Sequence, residues 1–103
     1  MTRERLPNRR ESEILEFNHE GNRFTLGFSQ FHDGRIAEIF ISSNKPGSAL
    51  EAVARDAAIV ASLALQHGTN FATIRNALTR DDRGGPATLL SSALDALAEG
   101  SKS

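Results

Sequence analysis

The sequence predicts an α+β fold: a three-stranded antiparallel meander followed by three helices, in the order βββααα, with the helices packed on one face of the sheet. Three observations carry this. Between Glu11 and Ser43 apolar residues alternate with polar ones, the period of a strand with one buried side. From Ser48 onward they recur at steps of three and four, the period of helices. The loop Asn44-Lys45-Pro46-Gly47 separates the two regimes.

Leu15 and Phe17 fall on one face of a first strand, and Phe24, Leu26 and Phe28 on one face of a second. His19-Glu20-Gly21-Asn22 provides the turn between them. His32-Asp33-Gly34 breaks the chain before a third strand, Arg35–Ser42. Ala37, Ile39 and Ile41 line one face of that strand, and Ile36 and Phe40 flank Glu38 on the other. Apolar residues on both faces predict a strand covered on both sides.

Ser48 and Glu51 form a capping box that opens the first helix, and Gly68 ends it. On a helical wheel Glu51, Arg55, Ser62 and Gln66 make a narrow polar stripe. Leu50, Val53, Ala54, Ala57, Val60, Ala61, Leu63, Ala64 and Leu65 cover most of the rest. A stripe that thin predicts a helix nearly engulfed by its surroundings. Thr69 or Asn70 caps a second helix with Phe71, Ile74, Ala77 and Leu78 on its apolar face. Arg80–Gly85 reads as a polar loop, and Pro86 suits the first turn of a third helix. Leu89, Leu90, Ala93, Leu94 and Leu97 form the core face of that helix, and Gly100 stops it.

At 103 residues the chain makes one domain: a flexible basic arm over 1–10, an α+β domain over 11–99, and a tail over 100–103. The arm carries Arg3, Arg5, Arg9 and Arg10. A net charge of -1 argues against general nucleic-acid binding. No apolar run reaches membrane-spanning length, and the first residues lack a secretory signal. The absence of cysteine excludes disulfides and thiolate metal sites and suits a reducing cytoplasm.

Four groups of residues are candidates for chemistry. Asp56 falls on the wheel among Ala52, Val60 and Leu63, where a carboxylate would be desolvated unless a cation such as Arg75 or Arg80 met it. Buried, it would be a structural ion pair, a cap on a neighbouring backbone or a general base. Lys45, Gly47 and Ser48 at the start of the first helix could hold a phosphate or a nucleotide, although the Walker pattern is absent. His19, His32 and His67 are scattered and have no metal-ligand spacing. Asp81 and Asp82 offer only two adjacent carboxylates for a divalent cation. No metal and no cofactor is expected, and no Ser-His-Asp or paired-glutamate arrangement stands out.

The third strand contains Glu38-Ile39-Phe40-Ile41, and the first helix closes on Ser62-Leu63-Ala64-Leu65-Gln66-His67-Gly68. Ala77-Leu78-Thr79-Arg80 and Gly85-Pro86 follow in order. Together, over about Glu11–Leu97, this combination resembles the TSCPD domain, a module at the C-terminal end of vitamin B12-dependent ribonucleotide reductases that also occurs in small stand-alone proteins. The resemblance implies a fold and an association with deoxynucleotide metabolism. It carries over no catalytic residue, because ribonucleotide reduction needs a thiyl-forming cysteine and a redox-active cysteine pair. This chain has no cysteine, and the cysteine of the namesake motif is gone too.

The expected function is therefore that of a non-catalytic binding or accessory module, bacterial and cytoplasmic. Its partner would be a protein or a second copy of itself. The alternatives are a phosphate or nucleotide sensor using Lys45–Ser48 and a small enzyme using Asp56 as base. A homodimer is expected, because three helices cannot cover both faces of the third strand, with Phe31, Phe40 or Ile41 at the contact.

Overall fold

The computed structural model describes residues 3–4, 12–45 and 47–100. The predicted order is present: β1 (Ser12–His19), β2 (Asn22–Gln30), β3 (Ile36–Ser43), α1 (Ala49–Gln66), α2 (Phe71–Ala77) and α3 (Leu89–Gly100). The strands form one antiparallel sheet in the order β1-β2-β3. Glu20 and Gly21 turn β1 into β2 with φ of 50° and 78°, the left-handed pair that a two-residue hairpin requires. Phe17 pairs with Phe24, and their rings stack with centroids 5.4 Å apart.

One face of the sheet forms the core. Phe17, Phe24, Leu26, Phe28, Ile39 and Ile41 meet Ala54, Ala58 and Ala61 of α1 and Leu89, Ala93, Leu94 and Leu97 of α3. The small alanines let α1 lie close to β3, and α3 covers the β1 side. The opposite face runs through the register row Ile14–Gly27–Phe40, and Ile14 and Phe40 are exposed. The expectation that β3 is covered on both sides is thus corrected: the helices take one face and Phe40 stays open. On that outer face Ser29 donates its hydroxyl hydrogen bond to Glu38 at 2.7 Å, and both residues are buried.

The ends of α1 follow the sequence. The Ser48 side chain accepts from Glu51 N, and Gly68 follows the C-cap His67 with φ of 105°. Its engulfment does not follow. Val53, Ile59, Val60 and Leu63 are between 41% and 66% exposed, and the polar stripe points elsewhere. Ser62 Oγ accepts from Ile39 N (2.9 Å) and donates to Ile39 O (3.1 Å), while Gln66 Nε2 donates to Ala37 O (3.1 Å). Half of the stripe is therefore spent on the outer backbone edge of β3, whose polar groups need partners. The apolar residues face outward instead.

α3 begins later than the sequence suggests. Thr88 accepts from Ser91 N at 3.2 Å, an N-cap contact. Pro86 instead bridges Arg80 across the loop, and Ala87 N donates to Thr79 O at 3.2 Å. Within residues 1–10 only Arg3 and Glu4 are described, so the basic arm as a whole, Pro46 and the tail beyond Gly100 lie outside the described residues. Arg3 Nε donates to Gln66 Oε1, and Glu4 N donates to Gln66 O.

Candidate functional site

A groove of about 540 Å³ opens where the β2–β3 turn meets the end of α1 and the start of α2. The turn is built by the chain itself. Phe31 N donates to Arg35 O (2.9 Å), Gly34 N donates to Phe31 O (3.0 Å), and Gly34 takes a φ of 92°. These bonds fold Arg35 back so that its guanidinium lies 4.7 Å above the Phe31 ring centroid, a cation–π contact. Phe31 is buried, and Ile36, Leu65 and Phe71 continue an apolar wall. A volume in this range, with an apolar lining and a few polar groups, is that of a ligand or side-chain pocket.

Among the described residues, the one cation at the rim is already outnumbered by carboxylates. Arg35 Nε donates to Asp33 Oδ2 at 2.7 Å and Arg35 Nη2 donates to Glu4 Oε1 at 2.9 Å. The Arg35 backbone N–H, followed by its guanidinium, holds the Asp33 carboxyl below its ordinary value. Glu4 and then Asp33 raise Arg35. Two carboxylates on one guanidinium leave little attraction for a phosphate. The groove suits an apolar or aromatic group.

A second groove of about 290 Å³ runs between β3 and α1, lined by Phe40, Ile59, Leu63, Ser62, Arg55 and Arg3 among others. Neither groove reaches Lys45, Gly47 or Ser48. There Gly47 N donates to Glu51 Oε1 (3.0 Å) and Glu51 N donates to Ser48 Oγ (3.1 Å), so two backbone donors at the helix start are bound to the chain's own side chains.

Asp56 is exposed, which corrects its expected burial. The wheel placed it among apolar residues, and it does lie there, but that face of α1 is open to solvent. The cations proposed for it belong to Asp95. Asp95 accepts from Arg75 Nε at 2.8 Å and from both Arg80 terminal nitrogens, at 2.5 and 2.7 Å. The hydrogen bonds from Arg80 and then Arg75 draw its pKa down to about 2 against the opposing effect of burial. Asp95 has no signal in the sequence beyond being a lone carboxylate on the α3 face that meets α2.

The structure also joins His19 and Ser92, whose Nδ1 and Oγ are 2.7 Å apart. Ser92 is buried, and neither groove includes the pair, so the contact ties the end of β1 to α3. The Asp81 carboxylate closes its own loop, accepting from Arg83 N (2.9 Å) and Gly85 N (2.8 Å). A side chain at Gly85 would sit 2.9 Å from Asp81 Oδ2. No group of three or more metal-ligating side chains occurs among the described residues.

A family model, the TSCPD domain, matches residues 3–100. The chain belongs to the TSCPD family. Two curated relatives of this TSCPD chain are named vitamin B12-dependent ribonucleotide reductase. The one from Agrobacterium fabrum (strain C58) is 44% identical over 66 residues, covering 64% of this chain and 5% of the relative. The one from Bradyrhizobium diazoefficiens is 35% identical over 86 residues, covering 82% of this chain and 7% of the relative. The TSCPD chain thus spans less than a tenth of the length of these relatives. No solved structure matches it.

Proposed function

We propose that this TSCPD chain is a non-catalytic binding module that binds a vitamin B12-dependent ribonucleotide reductase or a closely related protein, in the cytoplasm of a bacterium. The observation that carries the reading is the match itself: the chain corresponds to one small region of very long reductases and brings no cysteine of its own. A reductase region without thiols has binding left to offer, not radical chemistry. The groove at Phe31, Arg35 and Phe71 supports the reading, since an apolar wall beneath a rim with two carboxylates on the Arg35 guanidinium suits a protein side chain better than a phosphate.

The test uses the purified chain and the purified B12-dependent reductase of the same organism. Calorimetry is expected to give a saturable complex, and the chain is expected to change the rate of ribonucleotide reduction. Phe71→Ala should weaken binding without abolishing folding, because Phe71 is only half-buried. No heat of binding and no change in rate would reject the proposal. Binding of dATP or ATP in the absence of reductase would favour the nucleotide-sensing alternative.

A further inference from the structure

The face of α1 turned away from the sheet carries Ala49, Val53, Asp56, Val60, Leu63 and His67, at alternate steps of four and three. That spacing is the seam of a helix packed against another helix. Val53, Val60 and Leu63 are exposed at 61%, 66% and 41%, with Ile59 beside them at 50%. A contiguous apolar strip on a helix already packed on its other side marks an interaction surface. Ala52 and Ala64 flank it and permit close approach.

Two polar residues interrupt the strip, and their placement says what covers it. Neither the Asp56 carboxylate nor the His67 imidazole has a hydrogen-bond or ion-pair partner among the described residues. They stand equally far from the point midway between Ala61 and Ser62. Val60 and Leu63 are equidistant from the same point. When the helix is laid antiparallel on a copy of itself about that point, Val60 meets Leu63 of the copy. Asp56 meets His67, and each of these contacts occurs twice. A parallel arrangement would set Asp56 against Asp56. An antiparallel one shifted by a turn would set Asp56 against Leu63. Of these three, only the first arrangement satisfies both polar groups, and it has the self-complementarity of a two-fold interface.

We propose that the outer face of α1 is a homodimer interface in which two α1 helices pack antiparallel, with Val60 and Leu63 at the centre and an Asp56–His67 pair at each end. The dimer is a four-layer sandwich with the two sheets outermost, and it leaves the groove at Phe31 and Arg35 free. His67 donates to Asp56 when neutral and forms an ion pair with it when protonated.

Because the chain has no cysteine, oxidative cross-linking reads the register directly. Val60→Cys and Leu63→Cys chains mixed in equal amounts should give a mixed disulfide dimer faster than either gives a homodimer. Sedimentation at low ionic strength and pH 7 should show a dimer in the micromolar range. His67→Asp should raise its dissociation constant by about tenfold or more, since each end then opposes two carboxylates. Adding Asp56→Lys to that variant should restore dimerisation. Thermal melts by circular dichroism check that the variants remain folded, which the exposure of these positions favours. A wild-type monomer throughout the range would overturn the proposal, leaving the strip to another protein. It would equally be overturned by a Val60→Glu variant that still dimerises, or by a double variant as weak as His67→Asp alone.

Discussion

Asp95 shows how one carboxylate can organise two elements. It takes hydrogen bonds from Arg75 on α2 and from Arg80 in the following loop, which anchors a helix of only seven residues that contributes no fully buried residue of its own. Asp95→Asn should destabilise the domain by about 1–2 kcal/mol, the lower part of the range for hydrogen bonds to a charged group because both arginines are partly exposed, measured by urea denaturation. The pH dependence has a definite sign. The folded pKa is depressed from 3.8 to about 2, so the contribution is complete above the ordinary carboxylate value and is lost as pH falls through the folded one. Urea midpoints for wild type should therefore decline between about pH 5 and pH 2 more steeply than for Asp95→Asn. Gln66, 1% exposed, is the other decisive residue, with its amide spent on Ala37 O and Arg3. Gln66→Leu would keep the volume but orphan a strand carbonyl, and a loss of about 1–3 kcal/mol is expected in the same measurement. The sequence displayed Arg75 and Arg80 plainly as cations. Their partner was hidden, because nothing local distinguishes Asp95 from Asp56 until the packing of α2 on α3 is known.

Among the elements, α1 was the most legible in extent and the least in orientation. Its cap at Ser48 and its stop at Gly68 follow from local chemistry that no tertiary contact has to supply. Its polar stripe misleads, because polarity on a helix ordinarily marks the solvent side. Here Ser62 and Gln66 answer a strand edge rather than water, so the wheel is turned and Val53, Val60 and Leu63 are left outside. The stability of substitutions should report this orientation. Ala58, 3% exposed against the sheet, should tolerate Leu poorly, with about 1–3 kcal/mol lost to overpacking. Asp56→Ala, on the exposed side, should alter monomer stability by no more than about 0.5 kcal/mol. Matching melting temperatures for the two variants would contradict the orientation. The later start of α3 has a similar cause, since the Thr88 cap and the Arg80–Pro86 bridge are contacts that Pro86 alone does not announce.

At the scale of the whole molecule, the period-two and helical segments fixed the architecture because each strand has one continuous apolar face and each long helix one core stripe. The candidate groove was invisible from the same sequence. Phe31 and Arg35 lie in the β2–β3 turn while Phe71 opens α2, and only the approach of that turn to the α1–α2 junction brings them together. Leu97 joins the two layers, at 1% exposure in the shared core. Leu97→Ala should cost about 2–5 kcal/mol and lower the melting temperature cooperatively for the entire chain. A separate early transition in calorimetry would instead mean that α3 unfolds on its own.

The hydroxyl of Ser62 has one more consequence. By taking both backbone groups of Ile39, it does for β3 what a fourth strand would do and leaves that stretch of the edge with nothing to offer an incoming chain. Exposed strand edges are the usual starting point of uncontrolled polymerisation, and β3, with Ile39, Phe40 and Ile41 in sequence, is the segment best suited to it. Ser62→Val, similar in size but without the hydroxyl, is therefore expected to be worse for solubility than for stability. Thioflavin fluorescence should rise on prolonged incubation just below the melting temperature, while the wild type stays clear. A variant that unfolds earlier yet never forms fibres would show that other features guard this edge.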